Sequence, residues 1–147
     1  MRLVVQRTTG VEVTIDRRMH AATAAGLLVL FATKRGDQEA SCVWLADKLA
    51  NLRIFEDDEG KMNLSALDVG GEIMVVSQFT LYADTRKGRR PSYNDAMEPE
   101  EAERLYDCFI DRVKRFGLTV QSGLFGARMD VRFVNHGPVT IIVDHEV

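Results

Sequence analysis

Hydrophobic residues along the chain occur mainly in short runs of strand length separated by turn-forming segments, which predicts a protein rich in β-strands. Strands are predicted at residues 3–7, 11–15, 26–33, 53–55, 72–81, 118–122, 127–135 and 139–145. The first two are expected to form a hairpin through Thr8-Thr9-Gly10, because glycine allows the chain to turn. The run at 26–33 is apolar throughout, so we predict a strand that is buried on both faces.

Two segments have the periodicity of amphipathic helices. The first follows Asp37, which is predicted to cap it, and its apolar residues at mostly helical spacing are Val43, Trp44, Leu49 and Leu52. The second begins at Pro99, has glutamates in its first turn, and is expected to end at Gly117. Its apolar stripe consists of Ala102, Leu105, Tyr106, Phe109, Ile110 and Val113. Because strands and helices do not alternate regularly, we predict an α/β fold with a curved, largely antiparallel sheet and both helices packed on one side.

Composition narrows the class of protein. The length of 147 residues predicts one domain, spanning 1–147, and the 46% hydrophobic and 28% charged content is typical of a globular protein. The net charge of −3 gives no general attraction for nucleic acid, so any RNA contact must come from a local patch. The longest apolar run, at 24–32, is shorter than the roughly 20 residues of a membrane helix. We therefore expect a cytoplasmic protein that does not bind membranes. Cys42 and Cys108 are expected to be core residues rather than a disulfide or a nucleophile.

The sequence Ser77-Gln78-Phe79-Thr80-Leu81 closes an apolar strand and places two hydroxyls around an amide and an aromatic ring. In an extended strand, Ser77 and Phe79 would share one face and Gln78 and Thr80 the other, unless the strand end turns. Hydroxyls at a strand end often bind nearby backbone groups, so this segment alone does not establish a site. A nucleophilic hydroxyl would also need a neighbouring base.

A second segment reads Asn135-His136-Gly137-Pro138-Val139-Thr140 and lies between two strand-like runs. Proline donates no backbone hydrogen bond and is excluded from the middle of a sheet, whereas glycine can turn the chain. The pair Gly137-Pro138 is therefore expected to break the extended region and to present main-chain carbonyls at the break. A Gly-Pro pair taken alone is more often an ordinary loop.

Two charged segments have contrasting interpretations. Arg86-Lys87-Gly88-Arg89-Arg90 carries four positive charges in five residues, and it is either a solvated loop or a patch that binds phosphates. The acidic stretch at 56–60 lacks the spacing of a calcium loop and is predicted to be an exposed turn. We find no cluster with the ligand spacing of a metal site, and we expect no metal and no cofactor.

The Ser-Gln-Phe-Thr-Leu and Asn-x-Gly-Pro-x-Thr segments together resemble the D-aminoacyl-tRNA deacylases of the bacterial and eukaryotic type. The resemblance extends in order and spacing to residues 4–7, 52–55, 60–63, 83–92 and 125–129. It implies a β-rich, barrel-like core, a homodimer, and hydrolysis of the carboxylic ester of D-aminoacyl-tRNA and of mischarged glycyl-tRNA. The corresponding biological role is chiral proofreading in translation quality control, with no DNA partner expected.

The resemblance also implies roles for particular residues. Ser77, Gln78, Phe79 and Thr80 would form the catalytic segment, and Gly137-Pro138 would be a cis pair that enters the active site of the other subunit. There its carbonyls would hold the substrate α-amino group and exclude an L side chain. The residues expected to contact tRNA are Arg7, Arg86, Lys87, Arg89 and Arg90, with holding the site as an alternative for Arg7. Phe125 and Met129 would form a pocket wall, and a core role is equally compatible with Phe125.

The chain departs from the family at His136, where relatives usually carry Asp. This difference argues against His136 as the general base of a shared mechanism. We therefore favour a route in which the 2′-hydroxyl of the terminal ribose assists, while backbone N–H groups of Phe79 and Thr80 bind the oxyanion. The alternatives are a noncatalytic RNA-binding module and a serine or threonine esterase for small molecules, which would need a base that the sequence does not indicate.

Overall fold

The computed structural model describes residues 1–146, so Val147, at the end of the predicted domain, lies outside it. The strands are β1 (Arg2–Ile15), β2 (Arg18–Thr23), β3 (Gly26–Ala32), β4 (Phe55–Glu56), β5 (Met62–Leu64), β6 (Glu72–Ser77), β7 (Val120–Ser122) and β8 (Asp130–Asp144). The helices are α1 (Glu39–Asn51), α2 (Ala66–Val69), a 3₁₀ helix (Phe79–Tyr82) and α3 (Pro99–Lys114). Within residues 1–146, none of the helices combines the length and the apolar character needed to cross a membrane.

Six of the strands form one curved, nearly closed sheet, which confirms the predicted α/β class and barrel-like core. The order is β2-β1-β3-β6-β7, and β8 lies along β1. Strand β1 is antiparallel to β2, β3 and β8, whereas β3 and β6, and β6 and β7, are parallel. The parallel part of the sheet matters for function, because the carboxyl ends of these strands lie together at one edge.

The sheet has an apolar cluster on each face, and β3 contributes to both, as its uninterrupted apolar sequence predicts. Leu27, Val29 and Phe31 face the cluster that contains α1 and α3. Leu28 faces a second cluster, formed by strands alone, with Met74 and Val76 among its members. Both long helices therefore pack on one side of the sheet, as predicted. The aromatic ring of Phe31 stacks on Phe109 of α3, with ring centroids 5.1 Å apart.

The predicted hairpin at Thr8-Thr9-Gly10 is wrong, because β1 continues through these residues. The pairing register with β8 shifts between Thr8 and Val11, so the segment is a bulge within one long strand. The actual turn lies at Asp16 and Arg17, whose φ values of 49° and 63° are left-handed. Strand β2, which the hydrophobic pattern did not indicate, follows this turn.

The bulge has a consequence for packing. Before it, Leu3 and Val5 face the helix side of the sheet, and after it Val11 and Val13 face the other side. A regular strand that spanned 14 residues would have kept its odd-numbered residues on one face throughout. Here the odd-numbered residues exchange faces, so one strand serves both apolar clusters.

The predicted cap at Asp37 is also wrong. Helix α1 begins at Glu39, after Gln38, whereas the carboxylate of Asp37 accepts hydrogen bonds from the Met1 ammonium at 2.7 Å and from Lys34 N–H at 2.8 Å. The buried ammonium requires a counter-charge, which Asp37 supplies. Helix α3 begins at Pro99 as predicted, and Gly117 lies just beyond its end with a φ of 83°.

Candidate active site

A cavity of about 490 Å³ lies at the carboxyl ends of the parallel strands. Strands β6 and β7 pair only as far as Val75 and Ser122 and then separate. The ends of β3 and β6 form one wall, the segment 125–131 forms another, and the start of α3 closes the side. A cleft where parallel strands end and diverge is a common position for a ligand site in such sheets.

The Ser77–Thr80 segment lies at this cavity, but it does not form the strand that the sequence predicts through residue 81. Strand β6 ends at Ser77, and the Gln78 N–H makes one further sheet-like bond, to Phe31 O at 2.8 Å. The neighbouring strand β3 ends at Ala32, so the chain loses its partner and turns into the 3₁₀ helix. The predicted alternation of faces therefore fails for this segment.

The turn brings the side chains of Gln78 and Thr80 together, and the Gln78 amide donates a hydrogen bond to the Thr80 hydroxyl. The first bond of the 3₁₀ helix is donated by Leu81 N–H to Gln78 O at 3.1 Å. The N–H groups of Phe79 and Thr80 precede this bond, as the first N–H groups of a helix do, and are available to an external acceptor. Phe79 lines the cavity, so the segment presents a backbone donor at its entrance, and the Thr80 N–H lies next to it in the chain.

The lining of the cavity is mostly apolar. Its polar lining side chains are those of Thr33, Ser77 and Gln78, which do not titrate near neutral pH. Phe79 is on the rim, with 57% of its surface exposed, and makes an edge-to-face contact with Tyr93 at 5.0 Å. Such a lining is suited to binding a neutral, flat or hydrophobic group and to excluding water, with directional hydrogen bonds only at its entrance.

Both predicted wall residues, Phe125 and Met129, line the cavity. The Phe125 ring also packs against Tyr106 with the centroids 5.7 Å apart, so the wall and core roles that the sequence left open coexist. The Met129 sulfur lies 2.6 Å from where a Cβ on Gly123 would be. Gly123 therefore allows the wall to approach the end of β6.

Sequence reasoning missed the role of Tyr106, which it assigned only to the apolar stripe of α3. The buried hydroxyl lies 2.9 Å from Val75 O and 3.3 Å from Gly123 O, at the point where β6 and the chain after β7 separate. Burial raises the pKa of Tyr106 above its ordinary value, so the hydroxyl remains a donor. The available signal was a phenol within an otherwise apolar stripe, because a buried tyrosine hydroxyl needs a partner.

The Gly137-Pro138 pair does not separate two strands, contrary to the prediction. Strand β8 runs through it, and β1 pairs with β8 on both sides, at Thr140 and at Asn135. Residues 136–139 together stand opposite Arg7 alone, so they form an exposed bulge in which the ladder is interrupted. The Gly137-Pro138 peptide bond is cis, as the resemblance implies.

Arg7 holds this bulge from beneath. Arg7 is 6% exposed, and its guanidinium donates to His136 O and to Ile54 O, each at 2.9 Å. Glu56 lies 3.7 Å from the same group. These contacts favour the role of holding the site over direct contact with tRNA, because Arg7 is buried and two of its nitrogens already donate to protein carbonyls.

Asn135 and Thr140, which belong to the same motif as Gly137-Pro138, close the same bulge. The Asn135 carbonyl oxygen accepts from Val139 N–H at 2.7 Å, and its amide donates to the Thr140 hydroxyl at 2.9 Å. At Gly137 an added Cβ would lie 2.8 Å from a Val139 methyl group and 3.0 Å from the Arg7 guanidinium, at a φ of 141°. The motif therefore specifies a rigid bulge in which only glycine fits at position 137.

The predicted tRNA-binding segment is a projecting loop, closed by two backbone hydrogen bonds between Asp84 and Ser92. Arg86 binds the Asp84 carboxylate through two nitrogens, at 2.8 and 2.7 Å. The side-chain hydrogen bonds from Arg86 lower the pKa of Asp84 to about 2. Lys87, Arg89 and Arg90 are exposed.

The structure thus brings Ser77, Gln78, Phe79, Phe125 and Met129 to one cavity, and Arg7 to the bulge at Gly137-Pro138. Thr80 follows Phe79 directly but is not part of the cavity lining. Among residues 1–146, the lining of the cavity does not include the bulge. The two motifs are separate features of a single chain.

Comparison with known proteins identifies relatives along the whole chain. The family model described as D-Tyr-tRNA(Tyr) deacylase matches residues 4–144. The D-aminoacyl-tRNA deacylase of Roseiflexus castenholzii is 54% identical over 147 residues, which cover 100% of this chain and 94% of the relative. The protein of the same name from Desulfitobacterium hafniense (strain DSM 10664 / DCB-2) is 53% identical over 146 residues, covering 99% of this chain and 98% of the relative.

Two solved structures have the same fold. The c-Myc DNA Unwinding Element Binding Protein superposes with a TM-score of 0.92 at 37% identity, over 100% of both chains. A probable eukaryotic D-amino acid tRNA deacylase superposes with a TM-score of 0.83 over 98% of both chains. Its identity of 20% makes it evidence of the fold alone.

Proposed function

The chain belongs to the D-Tyr-tRNA(Tyr) deacylase family, and from this premise we propose that it hydrolyses the ester of D-aminoacyl-tRNA in the cavity beside Ser77–Thr80. The products are the free amino acid and tRNA. The observation that carries the assignment to this cavity is that Phe79, the first residue of the 3₁₀ helix, lies at the entrance of an apolar pocket, with Thr80 directly after it. We place this activity in the cytoplasm and also include glycyl-tRNA as a substrate.

The side chains at the site support a mechanism in which the substrate contributes its own assisting group. Water attacks the ester carbonyl, and the adjacent 2′-hydroxyl of the ribose relays a proton to the departing 3′-oxygen. The N–H groups of Phe79 and Thr80 stabilise the negative charge that develops on the carbonyl oxygen. This route fits a cavity whose polar side chains are hydroxyls and an amide.

The contact between Gln78 and Thr80 supports a positioning role for the Thr80 hydroxyl. An amide N–H donates to this oxygen, and an amide cannot accept the proton that a nucleophilic hydroxyl must lose. The hydroxyl retains its own proton, which it can donate to the substrate. Ser77, Gln78 and Thr80 then orient the ester, whereas the attacking oxygen comes from water.

We propose that Gly137-Pro138 of a second copy of the chain selects substrates with the D configuration. The exposed bulge lies outside the cavity of its own subunit, and Arg7 and Asn135 hold it rigidly. Its carbonyls can accept hydrogen bonds from the substrate α-amino group. An L side chain would then point into the bulge, whereas a D side chain would point away and glycine would meet no obstacle.

The free edge of β8 favours a dimer that could deliver this bulge. In the part of the chain that the structure describes, β8 pairs only with β1, although it is 15 residues long. Its outer face exposes Val134 and Ile142, each by at least 60%. Long apolar edge strands are covered in stable proteins, and a two-fold dimer would cover both copies at once.

The basic loop would bind the acceptor stem of the same tRNA. Lys87, Arg89 and Arg90 project from a loop that follows the 3₁₀ helix directly, so phosphates near the ester come within their reach. Arg86 is already paired with Asp84 and would contribute less. Arg7 contributes by supporting the bulge.

The deciding experiment compares D-, L- and glycyl-esters on one tRNA, each with a normal or a 2′-deoxy terminal adenosine. We expect rapid loss of the D and glycyl esters, survival of the L ester, and very slow hydrolysis of the 2′-deoxy D ester. Binding of all these tRNAs without hydrolysis would indicate a noncatalytic RNA-binding module instead. Equal hydrolysis of the normal and 2′-deoxy substrates would remove the substrate-assisted mechanism.

A further inference from the structure

The two cysteines of the chain lie on the facing helices α1 and α3, away from the cavity. Cys42 of α1 is fully buried, and its sulfur lies 3.3 Å from the carbonyl oxygen of Leu105 in α3. Cys108 is three residues further along α3, on the same face, and packs against the same apolar cluster. Burial and, next, the Cys108 thiol raise the pKa of Cys42 above its ordinary range, which agrees with this proximity.

Cys108 differs from Cys42 in its surroundings. It is partly exposed, and helical spacing places Arg104 one turn before it and Arg112 one turn after it. Both arginines reach Glu39 of α1, at 3.7 and 3.0 Å, so their guanidinium groups are held over the helix interface where Cys108 lies. Partial exposure beside cationic groups is the typical environment of a reactive thiol.

A partly exposed thiol beside a buried one is the arrangement of an oxidisable cysteine with a resolving partner. We propose that Cys108 and Cys42 form a peroxide-oxidisable pair, in which Cys108 is the site of attack and Cys42 closes a disulfide between α3 and α1. The Cys108 sulfur takes one oxygen from a hydroperoxide and becomes a sulfenic acid, while the hydroperoxide leaves as water or an alcohol. The Cys42 sulfur then displaces that oxygen, which leaves as water with the Cys42 proton.

The modification would act on an element of the active site. Helix α3 begins at Pro99 on the cavity wall and carries Tyr106, so the disulfide would tie this helix to α1. A buried resolving thiol with a raised pKa attacks slowly, so the sulfenic acid should persist long enough to be trapped. Two equivalents of an external thiol reduce the disulfide again.

The test treats the purified, full-length protein with hydrogen peroxide, with and without dimedone, and maps the cysteines by non-reducing peptide mass spectrometry. We expect dimedone on Cys108, and in its absence an intramolecular Cys42–Cys108 disulfide that dithiothreitol reverses. In Cys42→Ser the label on Cys108 should accumulate, and in Cys108→Ser Cys42 should remain reduced. The readout follows the thiols alone, so it is independent of deacylation.

Charge variants test the role assigned to the arginines. Arg112→Gln removes a guanidinium beside Cys108 and should slow labelling several-fold. Lys114→Gln removes an exposed charge from another face of the same helix and should leave the rate unchanged. Any of three results would overturn the proposal. They are labelling of Cys108 without an intramolecular disulfide, oxidation of Cys42 in Cys108→Ser, and equal labelling rates in the two charge variants.

Discussion

Replacement of Tyr106 by phenylalanine tests whether the geometry of the site depends on the point where β6 and β7 separate. The substitution keeps the ring against Phe125 but removes the oxygen that lies 2.9 Å from Val75 O and 3.3 Å from Gly123 O. Loss of a buried hydrogen bond costs about 1–2 kcal/mol in the free energy of unfolding. The freed carbonyls lie two residues before Ser77 and two before Phe125, so the walls of the cavity should shift.

The expected effect on activity is larger than the loss of stability alone would cause. If about 1 kcal/mol of the lost interaction positions the ester in the transition state, kcat/KM for D-aminoacyl-tRNA falls about fivefold. Urea denaturation gives the change in stability. Steady-state deacylation, measured at a temperature where the variant is fully folded, gives kcat and KM separately.

Ile110→Val provides the matched control, because Ile110 is a buried neighbour on the same helix that makes no side-chain hydrogen bond. It should cost about 1 kcal/mol in unfolding free energy and leave kcat/KM unchanged. Equal kcat/KM values for the two variants, at similar losses of stability, would refute a positioning role for Tyr106.

Four further variants or titrations test other parts of the site. Gly137→Ala places a methyl group 2.8 Å from Val139 and should reduce D-ester hydrolysis at least about tenfold; wild-type turnover in this variant would contradict the rigid bulge. Replacing Arg89 and Arg90 by alanine should lower the slope of log affinity against log salt by about 0.7–0.9 per lost phosphate contact, and an unchanged slope would make the loop a solvated surface. Thr80→Ala should reduce kcat far less than the several powers of ten that loss of a nucleophile costs, so complete inactivation with intact tRNA binding would count against substrate assistance. The Asp84 carboxyl should titrate near pH 2 by NMR rather than at 3.8. Its contribution to loop stability is therefore present above pH 3.8 and is lost as the pH falls through 2. A midpoint at 3.8 would show that the neighbouring guanidinium does not bind the carboxylate in solution.

Elements whose burial is periodic could be predicted from the sequence, because burial on one or both faces determines the residue pattern directly. Helix α3 begins at Pro99 as predicted, and five of its six predicted stripe residues are buried. Strand β3 lies within the predicted range 26–33 and is covered on both faces.

The ends of strands could not be predicted, because they depend on neighbours that are distant in sequence. Strand β6 stops at Ser77 because β3 stops at Ala32, and no local signal in the Ser-Gln-Phe-Thr segment indicates a 3₁₀ helix. The chain at Thr8–Gly10 contains a glycine that is typical of a turn, yet β8 pairs with β1 on both sides of it and keeps the strand continuous.

The role of Arg7 shows the same limitation most clearly. Its partners, Ile54 and His136, are 47 and 129 residues away, so a charge near a motif could equally have been a tRNA contact. Arg7 is buried beneath the bulge, and its guanidinium donates to protein carbonyls. In the proposed dimer this arrangement separates two requirements. The Ser77–Thr80 turn would supply donors for the chemistry, whereas Arg7 and Asn135 would fix the carbonyls that exclude an L side chain. Loss of Arg7 or Asn135 should therefore affect selectivity before it affects the fold.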